Sequence, residues 1–231
     1  MTDPPRRAAQ QWTPRSLLAG LDPAATVELI SLGQARSVET GRYILREGDT
    51  DTQVEVIMAG YCKVSMLTSQ GHKALMAVRG PGDVIGELAG LGGAPRNATV
   101  EASGRVSLVT IAGPVFQRFI ATHSAAAAEM TGVLGHRLAW SNRRRADAAY
   151  PVEVRLARLL TDLAEICGRP SPQGTELLVP LTQGELASMI GAALPTVQRA
   201  LAALRREGRV DTGYRRLVIT DRDALAGPAS G

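Results

Sequence analysis

Apolar residues recur at every second position through much of the first half of the chain, from about Arg36 to Ala112, and short glycine turns interrupt them. In VEVIMAGYCKVSM, Val54, Val56 and Met58 precede Ala59-Gly60, and Cys62, Val64 and Met66 follow it. A period of two is that of half-buried strands. Ala59-Gly60 is therefore expected to turn the chain between two of them, with TSQGHK and RGPGD making further turns. Repeated strand and turn predicts a small β barrel or sandwich.

Beyond Gly113-Pro114 the spacing becomes helical, through Phe116, Phe119, Ile120, Met130, Val133, Leu134 and Leu138. One long helix is expected over residues 114–149, opened by Pro114 in its first turn and stopped by Tyr150-Pro151. Met130, Val133, Leu134 and Leu138 form a narrow seam beside an alanine run, suited to packing on a second copy of the same helix. The same seam can pack on its own β domain, and both can hold along one helix. Gly132 and Gly135 weaken its middle by about 1 kcal/mol each relative to alanine. VEVRLARLLTDLAEIC is a second amphipathic helix, and GRPSPQGTELLV a turn-rich connection into a short apolar strand.

LTQGELASMIGAALPTVQRALAALRREGRV has the spacing of a helix-turn-helix. Leu186, Ala187 and Ile190 share one face of a first helix, Gly191 permits the turn, and Val197, Ala200 and Leu201 form the apolar face of a second. That second helix leaves Leu194, Thr196, Gln198, Arg199, Arg205 and Arg206 on its polar or exposed side. Gln198 is suited to an adenine edge and Arg199 to a guanine edge, whereas Thr196 suits a phosphate. Thr182, at the start of the motif, is counted with the DNA contacts. EGRVDTGYRRLVITD reads as two strands about Thr212-Gly213, a wing whose Tyr214, Arg215 and Arg216 meet the DNA backbone.

Length and charge refine this picture. A chain of 231 residues is expected to form two domains, each with its own core. Its net charge is +4, and Lys63 and Lys73 are the only lysines against many arginines. Arginine suits phosphate, but coding bias explains most of the excess, so composition permits a nucleic-acid partner without requiring one. Cys62 and Cys167 are too few and too far apart for a disulfide framework, a paired metal motif or a four-thiolate cluster. His72, His123 and His136 read as ordinary surface or core histidines rather than haem ligands. The opening MTDPPRRAAQQW lacks the apolar core of a signal peptide, and no stretch has the length of a membrane span. A cytoplasmic protein with no metal and no membrane contact is expected. No nucleophile with a nearby histidine and acid is evident, so an enzyme is not expected.

The strand-rich region, long helix and winged helix-turn-helix resemble, in that order, the Crp/Fnr family of bacterial transcription regulators from about Leu17 to Leu225. PGDVIGELAGLGGAPRNATVEA and the helix-turn-helix carry the resemblance. It implies a cyclic-nucleotide-binding β jelly roll whose glycine loop is the nucleotide cradle. Glycines let backbone N–H groups approach an anion, Arg96 can add two parallel bonds to phosphate, and Glu87 can accept from a sugar hydroxyl. By resemblance, Glu87 binds the ribose 2′-hydroxyl and Arg96 the cyclic phosphate, with Gly86 and the backbone near Leu88 completing the cradle. Asn97 stands where cyclic-AMP-responsive members commonly carry Ser or Thr, and can still donate to phosphate. Ser141 and Asn142, near the end of the long helix, would meet the adenine ring. Leu194-Pro195 stands where readers of the best-known operator carry Arg-Glu. Only part of that operator is expected to be recognised, with Arg199 reading a guanine and Leu194 touching a thymine methyl.

The expected whole is an α+β chain. A cyclic-nucleotide-binding β jelly roll spans residues 17–113, a dimerisation helix 114–149 and a Crp-type winged helix-turn-helix DNA-binding domain 150–225. It is expected to act as a homodimeric transcription regulator on a two-fold DNA site, with RNA polymerase as the further partner of an activator. The effector is a cyclic nucleotide, cyclic AMP first and cyclic GMP second, with no other cofactor. The alternative keeps the architecture but has a drifted pocket, binding DNA without cyclic nucleotide or answering to another ligand. Arg96→Ala is expected to abolish the ligand response and leave the fold intact.

Overall fold

The computed structural model describes residues 12–226; all but Trp12 of the opening stretch read for a leader lies outside them. Two short helices, α1 (Leu17–Gly20) and α2 (Pro23–Ser31), lead into β1 (Gln34–Val38), β2 (Tyr43–Leu45), β3 (Val54–Leu67), β4 (Lys73–Arg79), β5 (Val84–Ile85), α3 (Glu87–Gly92) and β6 (Thr99–Ile111). The strands run in the order β1-β6-β3-β4, with β2 paired to β6 and β5 to β3, all antiparallel. The two longest strands, β3 and β6, pair from Val54↔Ile111 to Ser65↔Thr99.

Ala59-Gly60 does not turn the chain. β3 runs straight through it, and its register against β6 shifts between Ile57 and Tyr61. Gly60 has φ +82°, and a Cβ there would sit 2.4 Å from the Arg105 carbonyl oxygen. The glycine thus makes a bulge, where two backbones approach closely, rather than a reversal. Val54 to Ile57 are buried on both faces of the strand, so the period-two signal fades where the roll closes over it. One core cluster joins Val54, Val56 and Ile111 to Phe116, Phe119, Met130 and Val133, and a second fills the roll with Ile57, Cys62, Ile85, Val100 and Leu108.

The single helix expected over 114–149 is interrupted. α4 (Gly113–Thr122) and α5 (Ser124–Ala146) are separated by His123, whose backbone is extended at φ −115° and ψ 93°. The imidazole stacks on Phe119 at 4.4 Å between centroids, and its Nδ1 lies 3.0 Å from the Phe119 carbonyl oxygen, closing the end of α4 with its own side chain. A 3-10 turn, Asp147–Ala149, then ends the run before Pro151.

The expected seam also divides. Met130 and Val133 are buried against the protomer's own roll, with Leu134 packed beside them, whereas Leu138 is 63% exposed. The face left outward is composed of small residues, Ala125, Ala128, Gly132, Gly135 and Ala139, with Leu138 and Asn142.

The C-terminal unit consists of α6 (Val152–Cys167), β7 (Gly168–Ser171), β8 (Gly174–Leu177), α7 (Gln183–Ile190), α8 (Leu194–Arg206), β9 (Val210–Gly213), β10 (Arg216–Ile219) and α9 (Arg222–Ala226). Its sheet has the order β7-β8-β10-β9, so the connection GRPSPQGTEL is itself a hairpin. Leu156, Leu160 and Leu163 of α6 pack with Leu186, Val197, Leu201, Leu204 and Leu217. Leu75 and Val78 of β4 belong to the same cluster, so the second unit is seated on a strand of the first.

Candidate functional site

The glycine stretch is only partly a loop, since Glu87 begins the short helix α3. Gly86 precedes it at φ +80°, and a Cβ on Gly86 would lie 2.4 Å from Nη1 of Arg96. Glycine is required here both for its backbone angle and to make room for the arginine. Gly90 packs against Val54, where a Cβ would come within 2.4 Å of Cγ2, so its role is close packing rather than anion binding.

Gly86, Glu87, Leu88, Arg96, Asn97 and Ser141 line one cavity of about 430 Å³, within the usual range for small-molecule sites. β4 and α5 form its opposite wall through Met76, Ala77, Arg79, Leu134, Leu138 and Trp140. Asn142 is not among the lining residues; it is exposed on the outward face of α5. One helical step turns it about 100° from Ser141.

The two charged residues read from the sequence are already paired. Arg96 is 3% exposed. Its Nε and Nη2 donate to the two carboxylate oxygens of Asp51 at 3.2 and 2.7 Å, Nη1 donates to the Gly86 carbonyl at 2.9 Å, and Nη2 also donates to the Gln53 carbonyl at 2.6 Å. The fork expected to hold phosphate therefore holds Asp51, whose carboxyl is kept below the usual aspartate range chiefly by that hydrogen bond. Glu87 accepts from Arg137 Nη1 at 2.8 Å, and Arg137 Nη2 reaches Asp83 Oδ1 at 3.1 Å and the Val84 carbonyl at 2.9 Å. α5 is thus clamped to the loop through one arginine.

Sequence reasoning missed Asp51, Arg79, Arg137 and Trp140. Arg137 lies four residues before Ser141 and so on the same helical face, a signal present in the spacing. Asp51 carries no such signal, because its partner is 45 residues away in the chain. The Trp140 indole donates to Asp162 Oδ2 of α6 at 2.7 Å, joining the cavity wall to the second unit. Burial pushes the Asp162 carboxyl above the usual range, and this hydrogen bond opposes the shift.

In the second unit Thr182 caps α7: its hydroxyl accepts from the Glu185 N–H at 3.1 Å, while the Glu185 carboxylate accepts from the Thr182 N–H at 2.8 Å. Gly191, at φ +61°, ends α7 and Pro195 stands in the first turn of α8. Val197, Ala200, Leu201 and Leu204 face inward, whereas Leu194, Gln198 and Arg199 are exposed and Thr196 half-buried. Arg199 Nη2 lies 3.5 Å from the Thr196 hydroxyl. At the wing, Tyr214 is 93% exposed and Arg215 is at φ +54°, both free of the sheet. Arg216 differs: Nη1 binds Asp211 at 2.8 Å and Nε lies 3.7 Å from Glu176, so it braces β10 against its neighbours.

A β-roll with a lined cavity, joined by a helix to a winged helix-turn-helix, defines a DNA-binding transcription regulator. Residues 35–123 match the sequence model of the cyclic nucleotide-binding domain, and residues 154–227 that of the Crp-like helix-turn-helix domain. The chain is 26% identical over 211 residues to the CRP-like cAMP-activated global transcriptional regulator of Mycobacterium tuberculosis, spanning 91% of this chain and 94% of that one. It is 26% identical over 203 residues to the cyclic AMP receptor protein of Thermus thermophilus, spanning 85% and 88%. A solved CRP/FNR-family transcriptional regulator from Thermus thermophilus superposes with a TM-score of 0.67 at 25% identity, over 83% of this chain and 96% of the other. The chain belongs to the Crp/Fnr family of transcription regulators, whose members matched here are regulators and not enzymes. Among the described residues no helix is long and apolar enough to cross a membrane.

Proposed function

We propose that this regulator is a homodimer, acting in the cytoplasm, that binds a cyclic nucleotide in the roll and thereby sets its affinity for a two-fold DNA site. The observation that carries the reading is the cavity's double wall. One side is the glycine loop, and the other is α5 and β4, which both reach the DNA-binding unit. A ligand touching both sides gains contacts in one arrangement of the units and favours that arrangement. Cyclic AMP is the first candidate effector, since it is named for the relatives in Mycobacterium and Thermus.

In the dimer two α8 helices would lie about 34 Å apart in successive major grooves. Gln198 and Arg199 would read base edges, Leu194 a thymine methyl, and Thr182, Thr196, Tyr214 and Arg215 the backbone. Arg216 would support the wing rather than touch DNA. Asn142, outward on α5, would reach a nucleotide only in a second protomer's cavity. RNA polymerase is a partner if the regulator activates.

A second reading, DNA binding without cyclic nucleotide, draws on the pairing of Arg96 with Asp51 and of Glu87 with Arg137. Calorimetric titration with cyclic AMP and cyclic GMP, followed by DNA binding at fixed salt with and without the nucleotide, separates the two. Micromolar binding coupled to a change in DNA affinity is expected. Failure of both nucleotides to bind would leave the second reading.

A further inference from the structure

Arg79, at the end of β4, is the charged residue of the cavity that the nucleotide reading leaves without a task. It stands in the wall between the 430 Å³ cavity and a neighbouring one of about 200 Å³ under the DNA-binding unit. Among the described residues its only side-chain hydrogen bond is from Nη1 to the adjacent Val78 carbonyl at 3.2 Å, and none of the described carboxylates forms an ion pair with it. Asp83 and Glu87, which attract it through space, are both bonded to Arg137 instead. Burial, with Arg137 repulsion second, pushes the Arg79 guanidinium down to about 10. A guanidinium so placed has several N–H donors, no acceptor, and, among the described residues, no carboxylate partner and a single carbonyl one.

The two ends of the cavity differ in what they can bind. The loop end has Glu87, Arg96 and Asn97, suited to sugar and phosphate, while the far end is an apolar slot of Met76, Ala77 and Leu138 that also holds Arg79. A nucleotide laid along the cavity puts its flat base in that slot. Guanine presents O6 and N7, two acceptors side by side, which arginine meets with two parallel donors; adenine presents N7 beside an amino donor that a guanidinium cannot accept.

We infer that Arg79 reads the base, and that the effector is a cyclic guanine nucleotide in preference to cyclic AMP. This rests on the nucleotide reading of the cavity and deepens it, putting cyclic GMP in place of the cyclic AMP that the relatives' names make the first candidate. Wild type should bind cyclic GMP tighter than cyclic AMP by about tenfold or more. Arg79→Leu removes an unpartnered charge from a half-buried site, so it should melt no lower than wild type. It should erase the preference by weakening cyclic GMP alone. Arg79→Gln, whose amide matches the N7 and amino groups of adenine, should reverse the preference.

The experiment is calorimetric titration of the full chain and both variants with cyclic AMP and cyclic GMP, with thermal melting as the check on folding. Equal or tighter binding of cyclic AMP by wild type would overturn the inference. Equal weakening of both nucleotides by Arg79→Leu would also do so, because it would assign Arg79 to the shared phosphate. Failure of wild type to bind either would instead overturn the nucleotide reading itself, and this inference with it.

Discussion

In the proposed nucleotide site, Asp51 and Arg96 together would set how much positive charge a ligand meets at the loop. Arg96 was legible as a cavity residue from the glycine stretch around it, but its occupation by Asp51 and Gln53 was not, because those partners arrive from the separate turn before β3. The structure therefore changes the expectation for Arg96→Ala. The substitution would strip the Gln53 carbonyl and the Asp51 carboxylate of their donors and leave the Gly86 carbonyl with the Gly90 N–H alone, costing about 2 kcal/mol or more, and the melting temperature should fall along with ligand binding. Asp51→Ala is the cleaner test. It frees two Arg96 donors and removes a negative charge, so nucleotide affinity should rise about threefold to tenfold, on the order of 1 kcal/mol; an unchanged or weaker affinity would show that Asp51 holds Arg96 in its binding pose. The depressed Asp51 carboxyl contributes stability above its ordinary value of 3.8 and loses it as pH falls through its lower folded value, so the pair should remain closed throughout the neutral range.

At the scale of elements, β4 is the shared part. Met76, Ala77 and Arg79 line the cavity, while Leu75 and Val78 enter the core of the DNA-binding unit. The neighbouring strand adds Lys63, whose ammonium donates to the Pro180 carbonyl and to Glu185, both at 2.7 Å, and the Leu75 N–H donates to the Ser188 hydroxyl at 3.0 Å. Glu185 also completes the cap of α7, so the docking contact and the start of the helix-turn-helix depend on one carboxylate. Lys63→Ala should loosen this docking by about 1–2 kcal/mol. The ratio of DNA affinities with and without nucleotide should move toward one, and protease should cut faster near residues 147–151. A ratio identical to wild type would show that the signal passes through α5 alone. The element pattern was legible wherever local spacing governs, as in α6, α7 and α8. It misled at Gly60 and His123, where a close backbone contact and an aromatic stack decide between bend and continuation.

At the scale of the whole molecule, the proposed homodimer would meet on the outward face of α5. A Cβ at Gly132 or Gly135 meets nothing within 4 Å in the protomer, so a larger residue there leaves the monomer intact. Gly135→Glu should thus keep the fold while placing charge on the face where two copies would meet. Sedimentation should show a monomer at micromolar concentration, and affinity for a two-fold site should drop toward that for half a site. A persistent dimer would place the interface elsewhere. The sequence by itself determined the order of the units, the helix-turn-helix with its exposed Gln198 and Arg199, and the glycine-loop side of the cavity with Ser141 across from it, because these follow from periods, turns and the motifs that carry the family resemblance, all read within short windows. Only the tertiary structure decided which charges pair, with Asp51 on Arg96 and Arg137 between Asp83 and Glu87, and which arginine is left over. Side chains distant in the chain compete for the same few acceptors, and that competition is settled by the distances and burial that folding creates.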